Sequence, residues 1–284
     1  MTDAPSIGGK LYVVGTPIGN IEDLSPRARD VLRIVDVVAA EDTRRTQGLL
    51  SRIGVQSQVM ALHEHNEAER VDDLLERLAG GASIALVSDA GTPLISDPGW
   101  RLVSAARKGG YTVVPIPGPS AVIAALSVAG LPTDRFVFEG FLPRRSGPRA
   151  ARLGALAREP RTMVFFEAVH RLEEMLAALV EHFGRDRPAV LARELTKIHE
   201  QIRYAPLGSL LESLGKEVPL LGEFVVIVGG NTQTTAPDEA EARRLYALLG
   251  AELPPDRALA LTAAITGLPR NALYRLTRLR DRDS

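Results

Sequence analysis

Apolar positions along the chain follow two alternating periods. Short apolar runs at 11–14, 37–40, 58–62, 84–87 and 112–116 have strand length. Stretches at 26–35, 66–79, 100–108 and 120–129 have helical spacing. Strand-length runs separated by helix-length ones predict an α/β first half built on a parallel sheet. Asn66 with Glu69 three residues on predicts a capped start for the helix at 66–79.

A proline- and arginine-rich break at 142–161 follows. Beyond it, 163–166, 189–192, 201–204 and 224–228 read as strands, and 170–182 and 207–214 as helices. This mixture predicts a mixed-sheet α+β second domain. Residues 231–238 form a polar, threonine-rich linker, and 239–284 predict two or three helices. Two of these, 257–266 and 270–280, flank Gly267-Leu268-Pro269 and read as helix-turn-helix. The expected organisation is an α/β domain at 1–133, a second α/β domain at 134–230, and a linker with a small helical extension at 231–284.

Composition narrows the class. With 284 residues, 45% of them hydrophobic, a packed core is expected. The longest apolar stretch, 121–131, is too short to span a bilayer, and 1–10 lacks the apolar core of a signal peptide. Zero cysteines exclude a disulfide framework and a thiolate metal site. A soluble cytoplasmic protein with no membrane partner is expected. The net charge of −1 excludes general attraction to a polyanion, so any basic surface must be local. Two segments concentrate it. Arg144, Arg145, Arg149, Arg152, Arg158 and Arg161 face only Glu159 in sequence, and Gly147 and Pro148 suggest a mobile segment. Arg270, Arg275, Arg278, Arg280 and Arg282 make the tail basic. The expected RNA contacts are Arg144, Arg145, Arg149, Arg270 and Arg275; a solvated helix face or a packing unit is the plainer alternative.

In an open parallel sheet, ligands bind beyond the carboxyl ends of the strands. The unusual residues collect there: 15–20, 41–44, 63–66, 88–93 and 117–120. Neither G-x-G-x-x-G after the first strand nor G-x-x-x-x-G-K-[ST] occurs, so the usual dinucleotide and nucleoside-triphosphate signals are missing. The loop with Asp89, Gly91, Thr92 and Pro93, continued by Ser96-Asp97-Pro98-Gly99, is the most informative. Its glycines allow close backbone approach, and its carboxylate suits an ammonium, a sulfonium or ribose hydroxyls. The alternative is a long turn with a helix cap at Asp97. His63 and His65 have metal-ligand spacing but no further ligand nearby in sequence, so helix capping and RNA contact are expected and no metal.

The motifs VGTPIGN (14–20), AEDTRRT (40–46), LHEHNE (62–67), SDAGTPLISDPG (88–99) and PGPSA (117–121) occur in order. They are followed by EGFLPR (139–144), FFEAVHRL (165–172), ARELTKIHE (192–200) and GEFVVIVGG (222–230). Over residues 10–230 this series resembles the tetrapyrrole-methylase superfamily, and within it the branch that methylates small-subunit ribosomal RNA. The resemblance implies a two-domain class III methyltransferase fold and a homodimer. It implies S-adenosylmethionine as cofactor, held between the domains. It also implies methyl transfer to the ribose 2′-oxygen of a cytidine in the decoding centre of 16S rRNA, in the small ribosomal subunit. By motif, Gly15, Thr16 and Pro17 edge the cofactor pocket, Asp89, Gly91, Thr92 and Pro93 form its main loop, and Ser120 and Ala121 close it. Val169 and Arg45 depart from the residues common in the family, proline and histidine.

The reaction sets further demands. A ribose hydroxyl is a poor nucleophile at neutral pH, so a base or a stabilising cation is needed. Glu194 is the expected proton acceptor, with Lys197 or Arg193 stabilising negative charge; Glu167, His170 and Arg171 follow another strand. A surface ion pair or phosphate contact is the alternative for each. Two other functions stay open: a tetrapyrrole methyltransferase of the same fold, and a non-catalytic ribosome-assembly factor.

Overall fold

The computed structural model describes residues 8–63, 65–232 and 239–278, with the side chains of 239, 240 and 276–278 outside the description. Residues 233–238 of the linker expected at 231–238, Glu64, the first seven residues, and Arg280 and Arg282 lie outside the described residues. Residues 1–230 form one compact unit and 231–284 a second.

The first half runs β1 (Lys10–Val14), α1 (Pro26–Ile34), β2 (Val37–Ala40), α2 (Thr43–Arg52), β3 (Gln58–Ala61), α3 (Glu67–Ala79), β4 (Ile84–Val87), α4 (Trp100–Lys108), β5 (Thr112–Ile116) and α5 (Ala121–Val128). The strands form a sheet in the order β3-β2-β4-β1-β5, every pairing parallel. β2 and β4 are buried at every position, as unbroken apolar sequences covered on both faces must be. One face packs Ala28, Val31, Leu32 and Leu50 of α1 and α2. The other packs Leu74 and Leu78 of α3 with Leu102 and Ala106 of α4. The neighbours β1 and β4 therefore send their chains to opposite faces. Their outgoing loops part at the carboxyl edge and leave a crevice at this topological switch point.

α2 was not read from the sequence. Its start is fixed by Asp42, whose carboxylate accepts from the N–H groups of Arg44 and Arg45 at 2.8 and 3.3 Å. The capping box expected at Asn66 does not form. The Asn66 amide instead accepts from His63 N–H at 2.8 Å and donates to the Ala61 carbonyl at 3.1 Å, closing the loop after β3. Glu67, buried, turns away to accept from Gly99 and Arg101 N–H at 3.1 and 2.9 Å. It caps α4 across the sheet face, the role that Asp97 was the local candidate for.

The second half continues with β6 (Phe136–Phe141), α6 (Ser146–Leu156), β7 (Thr162–Ala168), α7 (Leu172–Phe183), β8 (Pro188–Arg193), β9 (Gln201–Pro206), α8 (Leu207–Ser213) and β10 (Glu223–Val228). The sheet order is β6-β7-β10-β8-β9, parallel only between β6 and β7. Its outer face packs α6, α7 and α8 around Phe165, Leu176 and Leu210. Its inner face receives Val122, Ala125 and Leu126 of α5 against Val164, Val190 and Ile227. This inner contact fastens the two sheets into one unit.

The arginine-rich break contains a helix, and that overturns its reading as a mobile segment. Pro148 sits in the first turn of α6, where its missing N–H is tolerated. Arg149, Leu153 and Leu156 are buried at helical spacing, so an arginine occupies the first position of the buried stripe. The second unit comprises α9 (Glu239–Glu252), α10 (Pro255–Thr266) and α11 (Arg270–Arg278) around Ala242, Leu259, Leu268 and Leu273. Gly267, at φ +71°, ends α10 in the left-handed conformation. Among the described residues no helix is long and apolar enough to cross a membrane.

Candidate active site

The loop after β1 and the loop after β4 meet at the crevice. Thr16 and Gly91 exchange backbone hydrogen bonds of 2.8 and 3.0 Å, and the Thr16 hydroxyl donates to Ser88 O at 3.2 Å. Gly15 packs backbone-to-backbone on the loop after β5: a Cβ there would lie 2.7 Å from Gly118 Cα. The β4 loop is wound tightly, with Gly91, Leu94, Ser96 and Gly99 all at positive φ. Left-handed Leu94 and Ser96 store strain of about 1–3 kcal/mol each, of the kind concentrated at functional sites.

Two adjoining chambers open here. The first, about 500 Å³, lies between the sheets. The first half contributes Asp89, Gly91, Thr92, Asp97, Ser120 and Ala121 to its wall. The second half contributes Phe141, Phe166, Leu195 and the 222–224 turn. The second chamber, also about 500 Å³, is lined by Thr16, Pro17, Gly19, Gly48, Arg52 and Lys197 among others. Ile18, Arg45, Asp89, Ala90 and Glu223 border both. Asp89 stands on that boundary. Its carboxylate accepts from Asp42 N–H at 3.0 Å and pairs with Arg45 at 3.2 Å.

The first chamber is acidic. Burial pushes the Asp97 carboxyl up to about 6, with repulsion from Asp89 adding to it against a Ser88 hydrogen bond. Burial and then the charges of Asp97 and Asp89 raise the Glu41 carboxyl as well. Glu41, Asp89 and Asp97 thus face one largely apolar cavity that Glu167 and Glu223 also border, with Arg45 as the cation in its lining. Among the described residues no three histidine or acidic side chains come together to hold a metal ion. His63 and His65 contact each other edge-on, with ring centroids 6.1 Å apart, and line neither chamber.

The expected cofactor residues are distributed unevenly. Asp89, Gly91, Thr92, Ser120 and Ala121 line the first chamber, Thr16 and Pro17 the second. Gly15 and Pro93 line neither; Gly15 is needed for the approach to Gly118. Of the expected catalytic residues, Arg193 is a scaffold. It is buried and donates to the carbonyls of Leu221 at 2.7 Å and His199 at 3.0 Å. Glu194, at φ +51°, also lines neither chamber. It accepts from Lys197 Nζ and from Glu223 N–H, both at 2.9 Å. The Lys197 hydrogen bond holds its carboxyl below the usual range, which argues against a base. Lys197 does reach the second chamber. Burial opposes its charge, but hydrogen bonds to Glu194 and Glu223 outweigh that and raise its pKa. Glu167 borders the first chamber, but its carboxylate is turned away from it. Strand alternation puts Val164 and Phe166 on the inner face and Met163 and Phe165 on the outer. The Glu167 carboxylate therefore faces the outer side, 3.3 Å from Arg171.

The arginine segment divides as well. Arg149 is buried and paired with Glu174, which removes it from any RNA surface. Arg152 forms a two-point pair with Glu139 at 2.7 and 2.8 Å, and Arg161 one with Glu159 at 2.6 and 2.9 Å. Arg144 and Arg145 are exposed, form no ion pair among the described residues, and follow Phe141 of the first chamber by three and four residues. In the second unit Arg270 and Arg275 are exposed. Glu41, Asp97 and Phe141 lie within motifs quoted from the sequence, but nothing in the sequence assigned them a part in the cofactor pocket. Phe166, Leu195 and the 222–224 turn also lie within quoted motifs, but their place in the cleft was not legible, because the second sheet brings them there.

Residues 10–211 match the profile of the Tetrapyrrole (Corrin/Porphyrin) Methylases, and residues 236–279 that of the RsmI C-terminal HTH domain. Among solved structures, a diphthine synthase superposes with a TM-score of 0.61 at 19% identity, over 78% of this chain and 90% of its own. A uroporphyrin-III C-methyl transferase from Thermus thermophilus, complexed with S-adenyl homocysteine, superposes at 0.56 and 21% identity, over 78% and 97%. At these identities the likeness is one of fold. Fold and cleft together define a class III methyltransferase of the tetrapyrrole-methylase type. Two relatives named Ribosomal RNA small subunit methyltransferase I are far more similar. That of Xylella fastidiosa (Temecula1) is 53% identical over 95% of this chain and 99% of its own length. That of Escherichia coli O157:H7 is 51% identical over 94% of each. The chain belongs to the ribosomal RNA small subunit methyltransferase I family.

Proposed function

We propose that this protein transfers the methyl group of S-adenosylmethionine to the ribose 2′-oxygen of a cytidine in the decoding centre of 16S rRNA. The observation that carries the reading is the acidic, half-apolar chamber over the β1/β4 switch point. Asp89, Asp97 and Glu41 suit the cationic sulfonium and ammonium and the ribose hydroxyls, while Ile18, Phe141, Phe166 and Leu195 offer apolar walls to a base. The cofactor supplies a methyl group already activated by its sulfonium. The chain's own work is to hold the acceptor oxygen in line and keep water out. Arg45 fixes Asp89 at the boundary where the two partners must meet. Lys197, kept protonated by Glu194 and Glu223, places a cation beside the second chamber to stabilise charge developing on the 2′-oxygen. Glu194 acts on Lys197 rather than on the hydroxyl.

Arg144 and Arg145 supply positive charge near the cleft, and Arg270 and Arg275 add a second grip from the tail. The reading places the protein in the cytoplasm with its ribosomal substrate, working as a homodimer. Transfer of labelled methyl to small ribosomal subunits, followed by nucleotide mapping, is the test. A methylated cytidine ribose is expected. Methyl transfer to a porphyrinogen instead, or cofactor binding without any transfer, overturns the reading in favour of a tetrapyrrole enzyme or an assembly factor.

A further inference from the structure

The two chambers differ in electrostatic character, and the second extends beyond Lys197 into a surface not yet accounted for. The first gathers Glu41, Asp89 and Asp97. The second gathers Arg45, Arg52 and Lys197, against Asp89 and Glu223 on the shared boundary. Beyond it a further groove of about 420 Å³ shares Ile21 and Arg52 with the second chamber and adds Arg29. Lys197 is matched by Glu194 and Glu223, and Arg45 by Asp89. Arg52 forms no ion pair among the described residues, and Arg29 Nε is a buried donor without a hydrogen-bond partner. An uncompensated pair of arginines thus lies along the approach to the second chamber, opposed in that groove by Glu22.

We propose that the second chamber receives the target nucleotide and that Arg52 and Arg29 take the adjoining phosphates of the strand. The proposal rests on the RNA-methylating function above and adds where the acceptor sits. Size fits: about 500 Å³ lies within the ~300–1,000 Å³ usual for small-molecule sites. Charge assigns the occupants. A polyanion is repelled by the acidic majority of the first chamber and attracted by the arginines of the second, while a cationic donor has the opposite preference. Geometry agrees as well. The chambers touch along Ile18, Asp89 and Arg45, so a methyl group has only that boundary to cross. The floor is built for close approach. Gly19 packs under the 195–197 turn, where a Cβ would lie 2.4 Å from Lys197 Cγ. Gly48 lines the second chamber from α2, and a Cβ there meets nothing within 4 Å.

Gly48 gives a clean test, because it lies on a regular helix and borders the second chamber but not the first. Leucine there fills the chamber without backbone strain and favours the helix. The Gly48→Leu protein is expected to bind S-adenosylhomocysteine within about twofold of the parent by calorimetry, a shift of well under 1.4 kcal/mol. Its methylation of small ribosomal subunits should fall about 100-fold, the scale of a misplaced acceptor. A cytidine-containing RNA hexamer, titrated in the presence of S-adenosylhomocysteine, should bind about tenfold more weakly to Gly48→Leu and to Arg52→Glu. Unchanged methylation and hexamer binding in Gly48→Leu overturn the proposal. So does a large loss of S-adenosylhomocysteine affinity, which would give the chamber to the donor. A parent that binds the hexamer in a Gly48-dependent way but methylates no ribosomal subunit leaves the chamber assignment standing and refutes the function. A parent that does neither refutes both.

Discussion

The cleft acids and the arginine-rich helix carry opposite charge and treat it in opposite ways. In the cleft, Glu41, Asp89 and Asp97 crowd together with Arg45 as their single cation, and two of them have raised pKa values. Along 144–161, Arg149, Arg152 and Arg161 are each matched to a glutamate, while Arg144, Arg145 and Arg158 have no such partner among the described residues. A run of like charge in sequence is therefore a poor measure of the field a ligand meets. Two of the partners come from elsewhere, Glu174 from α7 and Glu139 from β6, and only Glu159 belongs to the segment itself. Matched charge holds structure; unmatched charge is available to a ligand.

The sharpest way to break this comparison is at Arg149. Its guanidinium is only 6% exposed and lies near the buried Glu167 carboxylate, whose own pKa is raised chiefly by burial. Arg149→Ala should destabilise the fold by about 2–3 kcal/mol, below the full cost of breaking a buried pair because Glu174 is exposed. Denaturant unfolding measures the loss. The salt dependence of RNA binding should not change, and a flatter slope in the folded variant would return Arg149 to the RNA surface.

Next in size is Asp89. Asp89→Asn keeps an oxygen for Asp42 N–H but removes the charge that meets Arg45 and would attract the ammonium that S-adenosylmethionine and S-adenosylhomocysteine share. S-adenosylhomocysteine affinity should fall about tenfold by calorimetry, near 1.4 kcal/mol. An unchanged affinity would mean that the acids of the cleft are structural, like those of the arginine segment.

The same distinction governs what the sequence revealed. The first sheet was legible almost element by element, because buried parallel strands are short apolar runs and their helices are amphipathic. The rim loops were legible as a set, since the switch-point rule assigns them without knowledge of contacts. α6 was not, because an arginine interrupts its apolar stripe and proline stands in its first turn. Arg193 and Glu194 were legible as residue types but not as roles. Whether a charged side chain meets a ligand or a carbonyl depends on the 221–223 turn, far away in sequence. The α3 cap failed for the opposite reason: Asn66 found competing partners in its own loop.

Asp97 sharpens the comparison at lower energy. Its folded pKa, about 6, lies above the ordinary 3.8, so the folded chain binds this proton more tightly than the unfolded chain. The associated stability is fully present below about pH 4 and is lost as pH rises through about 6. Asp97→Asn should therefore be more stable than the parent at pH 7 by about 1 kcal/mol, allowing for solvent screening, or roughly 2–4 °C in Tm. The advantage should vanish below about pH 4. Cofactor affinity should fall in the same variant. Equal Tm at pH 7 and pH 4, relative to the parent, would place Asp97 in full contact with water.

The smallest expected effect separates arginines of one segment from each other. Arg144 and Arg145 are exposed and unmatched, whereas Arg152 is held by two hydrogen bonds to Glu139, a side chain only 5% exposed. A phosphate reaching Arg152 would have to displace that carboxylate and leave it buried without a partner. Arg144 and Arg145 give up only water and counterions. Each phosphate contact contributes roughly −0.7 to −0.9 to the slope of log affinity against log salt. Changing Arg144 and Arg145 together to alanine should thus flatten the slope by about 1.4–1.8, with thermal stability within about 0.5 kcal/mol of the parent. Arg152→Ala should leave the slope where it was. Titrating small ribosomal subunits with each variant at several salt concentrations distinguishes the cases. If Arg152→Ala flattened the slope as much as loss of Arg144 or Arg145 does, ion pairing within the chain would not decide which arginines RNA uses, and the contrast between the two regions would fail.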